Sequence, residues 1–139
     1  MKRLLQISII ILAVFACKKT EFSPEGPTDV RIRNLSDVVF NEVIIKTSEY
    51  EEDVDTIANI NAGSESEYFR FKKAYPKAEI TAKINIGGTI STFSTGSVNF
   101  TYLTYIGQDK ITFEVYISNA ETKELTINNV VLDEPLVLK

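Results

Sequence analysis

Residues 77–95 read KAEITAKINIGGTISTFST, and this stretch decides the fold. Ala78, Ile80, Ala82, Ile84 and Ile86 fall on one side; Lys77, Glu79, Thr81, Lys83 and Asn85 fall on the other. Side chains on a strand change face at every residue, so this alternation predicts a strand with one buried and one wet face. Gly87-Gly88 comes next. Two glycines supply the positive φ angles of a two-residue hairpin turn without strain, so Thr89–Thr95 reads as the returning strand.

The same period of two extends outward in both directions. Val30 and Ile32 alternate with Arg31 and Arg33, Val43 and Ile45 lie within a β-branched run from Val38 to Thr47, and Phe69 and Phe71 flank Arg70. Downstream, Lys110 to Ser118 places Ile111, Phe113, Val115 and Ile117 inward and Thr112, Glu114 and Tyr116 outward. Turn-forming residues separate the runs. They are Asn34 to Asp37, the acidic Glu49 to Asp53, Asn61-Ala62-Gly63-Ser64 as a further hairpin, Gly107 to Asp109, and Ser118 to Glu121. A turn every 8–12 residues or so is the rhythm of a sandwich or barrel. The expectation is an all-β domain over 28–139, with seven to nine strands and no amphipathic helix. Its form is an antiparallel two-sheet β-sandwich, immunoglobulin-like or transthyretin-like, with a closed barrel as the alternative. Phe71 to Pro76 reads as a short turn or crossover.

Composition sets the outer limits. The chain has 139 residues, 44% hydrophobic and 24% charged, which is the balance of one globular domain. Roughly 110 residues can bury a core without disulfides, and Cys17 is the single cysteine, so no internal disulfide is available. The net charge of −4 is spread along the chain and argues against nucleic acid, which requires a basic patch. It argues equally against peripheral attraction to anionic lipid.

The N-terminus divides into three parts. Lys2 and Arg3 form a positive start, Leu4 to Phe15 is apolar apart from Gln6 and Ser8, and Val14-Phe15-Ala16-Cys17 ends it. The apolar run is shorter than the ~20 residues of a spanning helix and has the length of a signal h-region. Val14-Phe15-Ala16-Cys17 resembles a bacterial lipobox. The resemblance implies cleavage before Cys17, with 1–16 as signal peptide, and acylation of Cys17 as the new first residue. Two or three acyl chains, each buried methylene contributing about 0.8 kcal/mol, anchor a protein stably. Residues 17–27, with Ser23, Pro24, Gly26 and Pro27, read as a flexible or extended tether. Cys17-Lys18-Lys19 followed by Thr20 and Glu21 resembles the tethers of small, uncharacterised Bacteroidetes-like lipoproteins. Lys18, rather than Asp, implies the outer membrane by the sorting rule of Gram-negative lipoproteins, with the periplasmic or surface face left open.

Without histidine, Ser-His-Asp and Cys-His catalysis and imidazole zinc sites are excluded. An acylated Cys17 is no nucleophile. No phosphate-binding glycine loop occurs. Glu49, Glu51, Glu52, Asp53 and Asp55 cluster, but the run lacks the glycine of a calcium loop and reads as a solvated connection between strands. Weak calcium binding and carboxylate-pair glycoside hydrolysis are the rival readings. No metal, cofactor or catalytic residue is assigned. Asp55-Thr56-Ile57 resembles the O-glycosylation signal of Bacteroidetes envelope proteins, which makes Thr56 a candidate modification site. Tyr102 and Tyr105 are candidate ligand-facing aromatics, with Tyr68 and Tyr75 behind them, against the alternative that these rings complete the core. Val130-Val131-Leu132 and Leu136-Val137-Leu138 flank Asp133-Glu134-Pro135 as a tail expected to pair within its own domain. The functional expectation is a non-enzymatic, lipid-anchored envelope module. It would meet the membrane through its lipid and bind a protein or glycan partner. The alternative is an inhibitor or an accessory, pilus-type subunit.

Overall fold

Alternation in the sequence becomes eight strands in the computed structural model, which describes residues 26–135. In chain order they are β1 (Thr28–Asn34), β2 (Phe40–Lys46), β3 (Val54–Ile60), β4 (Phe69–Phe71), β5 (Glu79–Ile86), β6 (Thr89–Ser94), β7 (Asp109–Asn119) and β8 (Glu124–Pro135). A single 3-10 turn, Glu51–Asp53, precedes β3. The expected signal peptide over 1–16, Cys17, most of the expected tether and the tail residues 136–138 lie outside the described residues.

All eight strands form one mixed sheet in the order β3-β2-β5-β6-β8-β7-β1-β4, curled into a nearly closed barrel. This corrects the expectation of two antiparallel sheets. β1 runs parallel to β7, with Val30 opposite Ile111 and Ile32 opposite Phe113. β6 meets β8 in parallel through the single pair Ser94–Glu124. Alternation reports which face of a strand is buried and says nothing of its neighbour's direction, so parallel and antiparallel placements give the same pattern.

The core lies inside the barrel. Val30, Ile32, Phe40, Val43, Ile45, Ile80, Ala82, Ile84, Phe93, Ile111, Phe113 and Val115 are all buried there. The Gly87-Gly88 hairpin forms as read, with φ of 60° and 88°. Beyond it the rule weakens, because Ile86 projects past the end of the core and is largely exposed. The Asn61–Ser64 turn closes with Ser64 N–H donating to Asn61 O at 3.1 Å and Gly63 at φ 69°. It is no hairpin, however. β3 pairs with β2 and β4 with β1, so the turn starts a crossover between the two edges of the sheet.

Among the described residues no ladder joins those edges; polar side chains hold them at both ends. At one end the buried Asn34 side-chain amide faces Val38 O (2.7 Å), Ile60 O (3.2 Å) and Asn61 O (3.3 Å), while its Oδ1 accepts from Ser36 N–H (2.9 Å). At the other end the buried Asp53 accepts from Ser48 Oγ (2.6 Å), Lys72 N–H (2.8 Å) and Lys73 N–H (3.2 Å). Asp53 thus departs from the solvated-loop reading. Three local donors satisfy a carboxylate that burial would otherwise penalise heavily.

Candidate functional site

Three connections meet at the barrel end where the described chain begins: β2–β3, β4–β5 and β6–β7. Their backbones are joined directly. Tyr75 N–H donates to Thr47 O (3.1 Å) and Ile106 N–H to Ala74 O (2.9 Å). Thr28 Oγ1 donates to Gly107 O (2.5 Å), which fixes the β6–β7 loop beside the start of β1. The same loop is tied to β5, where Thr95 N–H donates to Ile80 O (2.9 Å) and Val98 N–H to Glu79 Oε1 (2.9 Å).

This end carries an aromatic cluster. The buried Tyr75 ring stacks between Phe100 (centroids 5.3 Å apart, planes at 24°) and Tyr105 (4.4 Å, 23°). Two ammonium groups lie over the rings. Lys73 Nζ is 4.6 Å from the Tyr105 centroid and 4.9 Å from that of Tyr50, and Lys46 Nζ is 5.9 Å from that of Phe100. Such contacts are worth about 0.5–1 kcal/mol at exposed sites. Lys73 Nζ donates to the Tyr105 hydroxyl (3.3 Å), and that hydroxyl lies 3.3 Å from Glu49 Oε1. Burial, then the neighbouring Tyr105 and Glu49, pushes the Tyr75 phenol far above its usual range, so it stays protonated.

Beside the stack opens a cleft of about 570 Å³, lined by Lys46, Glu49, Tyr75, Val98, Asn99, Phe100 and Thr101. It offers an ammonium, a carboxylate, an amide and a hydroxyl around ring surfaces. That set can orient a hydroxyl-bearing ligand by hydrogen bonds. It contains no nucleophile paired with a base. Among the described residues no three acidic side chains gather as a metal site.

The candidate residues separate. Tyr105 joins the cluster with Tyr75, whereas Tyr102 stands outside it at 92% exposure. Tyr68 belongs to a different group, on the outer face of β1 and β7. There Asp133 Oδ2 accepts from Thr112 Oγ1 (2.5 Å) and Tyr68 Oη (2.8 Å), and Arg31 Nη2 reaches Asp133 Oδ1 (3.4 Å). Arg31 and Arg33 both pair with Glu65, and Arg33 also pairs with Glu114 at 2.6 Å. Thr112 is therefore fully buried, against the expectation that it faces water. Burial raises the Asp133 pKa, but the Thr112 and Tyr68 hydrogen bonds and the Arg31 charge outweigh it and hold the carboxyl below its ordinary value. Thr56 is exposed on the edge strand β3, with its N–H bonded to Asp55 Oδ1 (2.7 Å). The sequence reading missed Lys46, Lys73 and Phe100 as cluster members. Their only advance signal was proximity to Thr47–Asp53 and to the tyrosines.

No family model matches the chain, and no curated protein matches it. Two solved structures are similar at a distance. An NMR structure of a protein from Eubacterium rectale shares 13% identity at a TM-score of 0.43, over 79% of this chain and 94% of that one. A crystal structure named as a "putative cell adhesion protein" of Bacteroides fragilis shares 10% identity at a TM-score of 0.38, over 84% of this chain. The chain spans about half of that second protein, 47% of its length.

Proposed function

We propose that this protein is a non-enzymatic binding module of the bacterial envelope, lipid-anchored at the outer membrane through Cys17, and that its ligand is a glycan seated in the aromatic cleft. One observation carries the binding role. Tyr75 and Phe100, both buried, form the wall of a cleft rimmed by Lys46, Glu49, Asn99 and Thr101, whose ammonium, carboxylate, amide and hydroxyl suit the hydroxyls of a sugar. The anchor rests on the lipobox Val14-Phe15-Ala16-Cys17, and the non-enzymatic reading on the absence of histidine and of any second cysteine. At the finer level of fold we read the barrel as a transthyretin-like arrangement. Support comes from its division at the weak Ser94–Glu124 seam into β3-β2-β5-β6 and β8-β7-β1-β4.

The test is a chemical-shift titration of the labelled protein with neutral and acidic oligosaccharides. A saturable ligand should move residues 98–101 and the Tyr75 ring. Glu49→Gln and Thr101→Ala should each weaken it about tenfold, the effect of losing one good hydrogen bond to a charged or polar partner. Saturable shifts confined to the opposite end of the barrel, or indifference to both substitutions, would refute the assignment.

A second reading, an accessory or pilus-type subunit, is favoured by the same seam. Past Glu124, one side of β8 has no strand partner among the described residues, and an open edge can accept an added strand. Light scattering across a concentration series separates the two readings, since a subunit of this kind forms higher assemblies.

A further inference from the structure

We infer that the barrel end carrying the β2–β3, β4–β5 and β6–β7 connections is a lipid-contact surface that rests on a zwitterionic headgroup layer, with Tyr102 as its interfacial side chain. The inference builds on the anchor reading of Cys17 and adds an orientation and a partner to it.

The first support is where the described chain starts. Gly26 lies against Gln108. Thr28 is bonded to Gly107, so the chain enters the fold beside the 95–108 loop. Nine peptide steps separate Cys17 from Gly26. Fully extended they reach only ~30 Å. An acylated Cys17 therefore keeps this end, and not the Gly87-Gly88 end, within a short distance of the bilayer. Tethering of that length maintains a local concentration in the millimolar range, so a weak contact becomes populated.

The second support is what this end exposes. Tyr102 is 92% exposed, while Tyr75 and Tyr105 are stacked on each other. An amphipathic ring left bare at a tethered end has the chemistry of the membrane–water boundary, where tyrosine is enriched. Tyr50, on the neighbouring β2–β3 connection, is 41% exposed.

The third support is charge. Lys46 at the end of β2 and Lys72, Lys73 and Lys77 on the β4–β5 connection are matched by Glu49, Glu51, Glu52 and Asp53 on the β2–β3 connection, and Lys72 Nζ lies 3.1 Å from Glu52 Oε1. A surface with balanced charges gains little from an anionic membrane and is not repelled by a zwitterionic one. The glycan cleft opens on this same end, so a soluble oligosaccharide and the headgroup layer would compete for it.

The experiment uses the mature chain from Cys17, its sole cysteine, coupled through the thiol to maleimide lipid in phosphatidylcholine nanodiscs that carry a paramagnetic headgroup label. Amide signals of residues 99–105 and 49–53 should broaden more than those of the Gly87-Gly88 turn and of residues 120–123. Tyr102→Ser, an exposed change, should leave the spectrum of the free protein intact and reduce the broadening of 99–105 severalfold, while keeping it above that of the far loops because the tether still enters at this end; unchanged broadening in Tyr102→Ser overturns the role of that ring. Equal broadening at both ends, or stronger broadening at Gly87-Gly88, overturns the inference. So does concentration-dependent perturbation of 99–105 in lipid-free solution, which would mean that a second copy covers the surface. Because the coupling is chemical, the result is independent of native lipidation. The mass of Cys17 peptides from native membranes tests that separately.

Discussion

Replacing Asp53 by alanine is the sharpest test of how this barrel is held shut. The carboxylate is fully buried and accepts from Ser48 Oγ and from the main-chain N–H groups of Lys72 and Lys73. The hydroxyl can turn to another partner, whereas the two amides are fixed by the backbone. Each donor left buried without a partner costs about 1–3 kcal/mol, so Asp53→Ala should destabilise the domain by about 2–5 kcal/mol. For a domain of this size that lowers Tm by about 10–20 °C. Asp53→Asn keeps one oxygen for the two amides and should cost only about 1–2 kcal/mol. Glu51→Ala and Glu52→Ala, at exposed neighbours, should stay within about 0.5 kcal/mol of the parent. Urea denaturation followed by circular dichroism measures all four, and amide exchange reads Lys72 and Lys73 directly. If Asp53→Ala cost no more than its exposed neighbours, or if the two amides were already unprotected in the parent, the proposed closure would be wrong.

Three further outcomes are expected. Because the folded-state pKa of Asp133 is depressed, its stabilisation is complete above the carboxylate's ordinary pKa and is lost as pH falls through the lowered value; Asp133→Asn should be less stable at neutral pH, and the gap to the parent should close in acid denaturation below about pH 4. Gly88→Ala should cost about 1–2 kcal/mol in chemical denaturation through backbone strain alone, since φ is 88° and the space around an added Cβ is open. A glycan on Thr56 would appear as a heterogeneous mass increment on protein isolated from its native cells, removed by Thr56→Ala with little change in stability, because the side chain is exposed on an edge strand.

How far the fold was legible can be seen strand by strand. Lys77–Ile86 and Gly87-Gly88 carried their meaning locally, because a period of two and a pair of glycines constrain the backbone with little tertiary help. The directions of β1 and β6 were not legible, since Val30 and Ile32 bury the same face whether the neighbour runs up or down. Thr112 reads as an outward residue by period, and it is outward; what covers it is Arg31 and Asp133, drawn from strands remote in sequence. The acidic run could not reveal that Asp53 turns inward while Glu51 and Glu52 stay in water, because the distinction depends on two main-chain donors about twenty residues later. Tyr105 and Tyr102 looked equivalent, and only the position of Tyr75 separates them. The resemblance of Val14-Phe15-Ala16-Cys17 to a lipobox rests on residues outside the described region, and the anchor it implies is part of the proposed function.

The parallel pairing of β1 with β7 governs the order in which the chain can fold. Asn34 lies opposite Val115, and every contact of that ladder waits for residues made some eighty positions later. Closing so long a loop is entropically slow, and assembly falls in the millisecond-to-second range typical of non-local β topologies. A polypeptide threaded through a narrow passage with its amino end leading could pair one edge of β1 with the short β4, but would hold the other edge open until β7 had passed. Closure of the barrel on the entry side is disfavoured for the same reason, although β2, β3, β5 and β6 already contain all the ladders that join them.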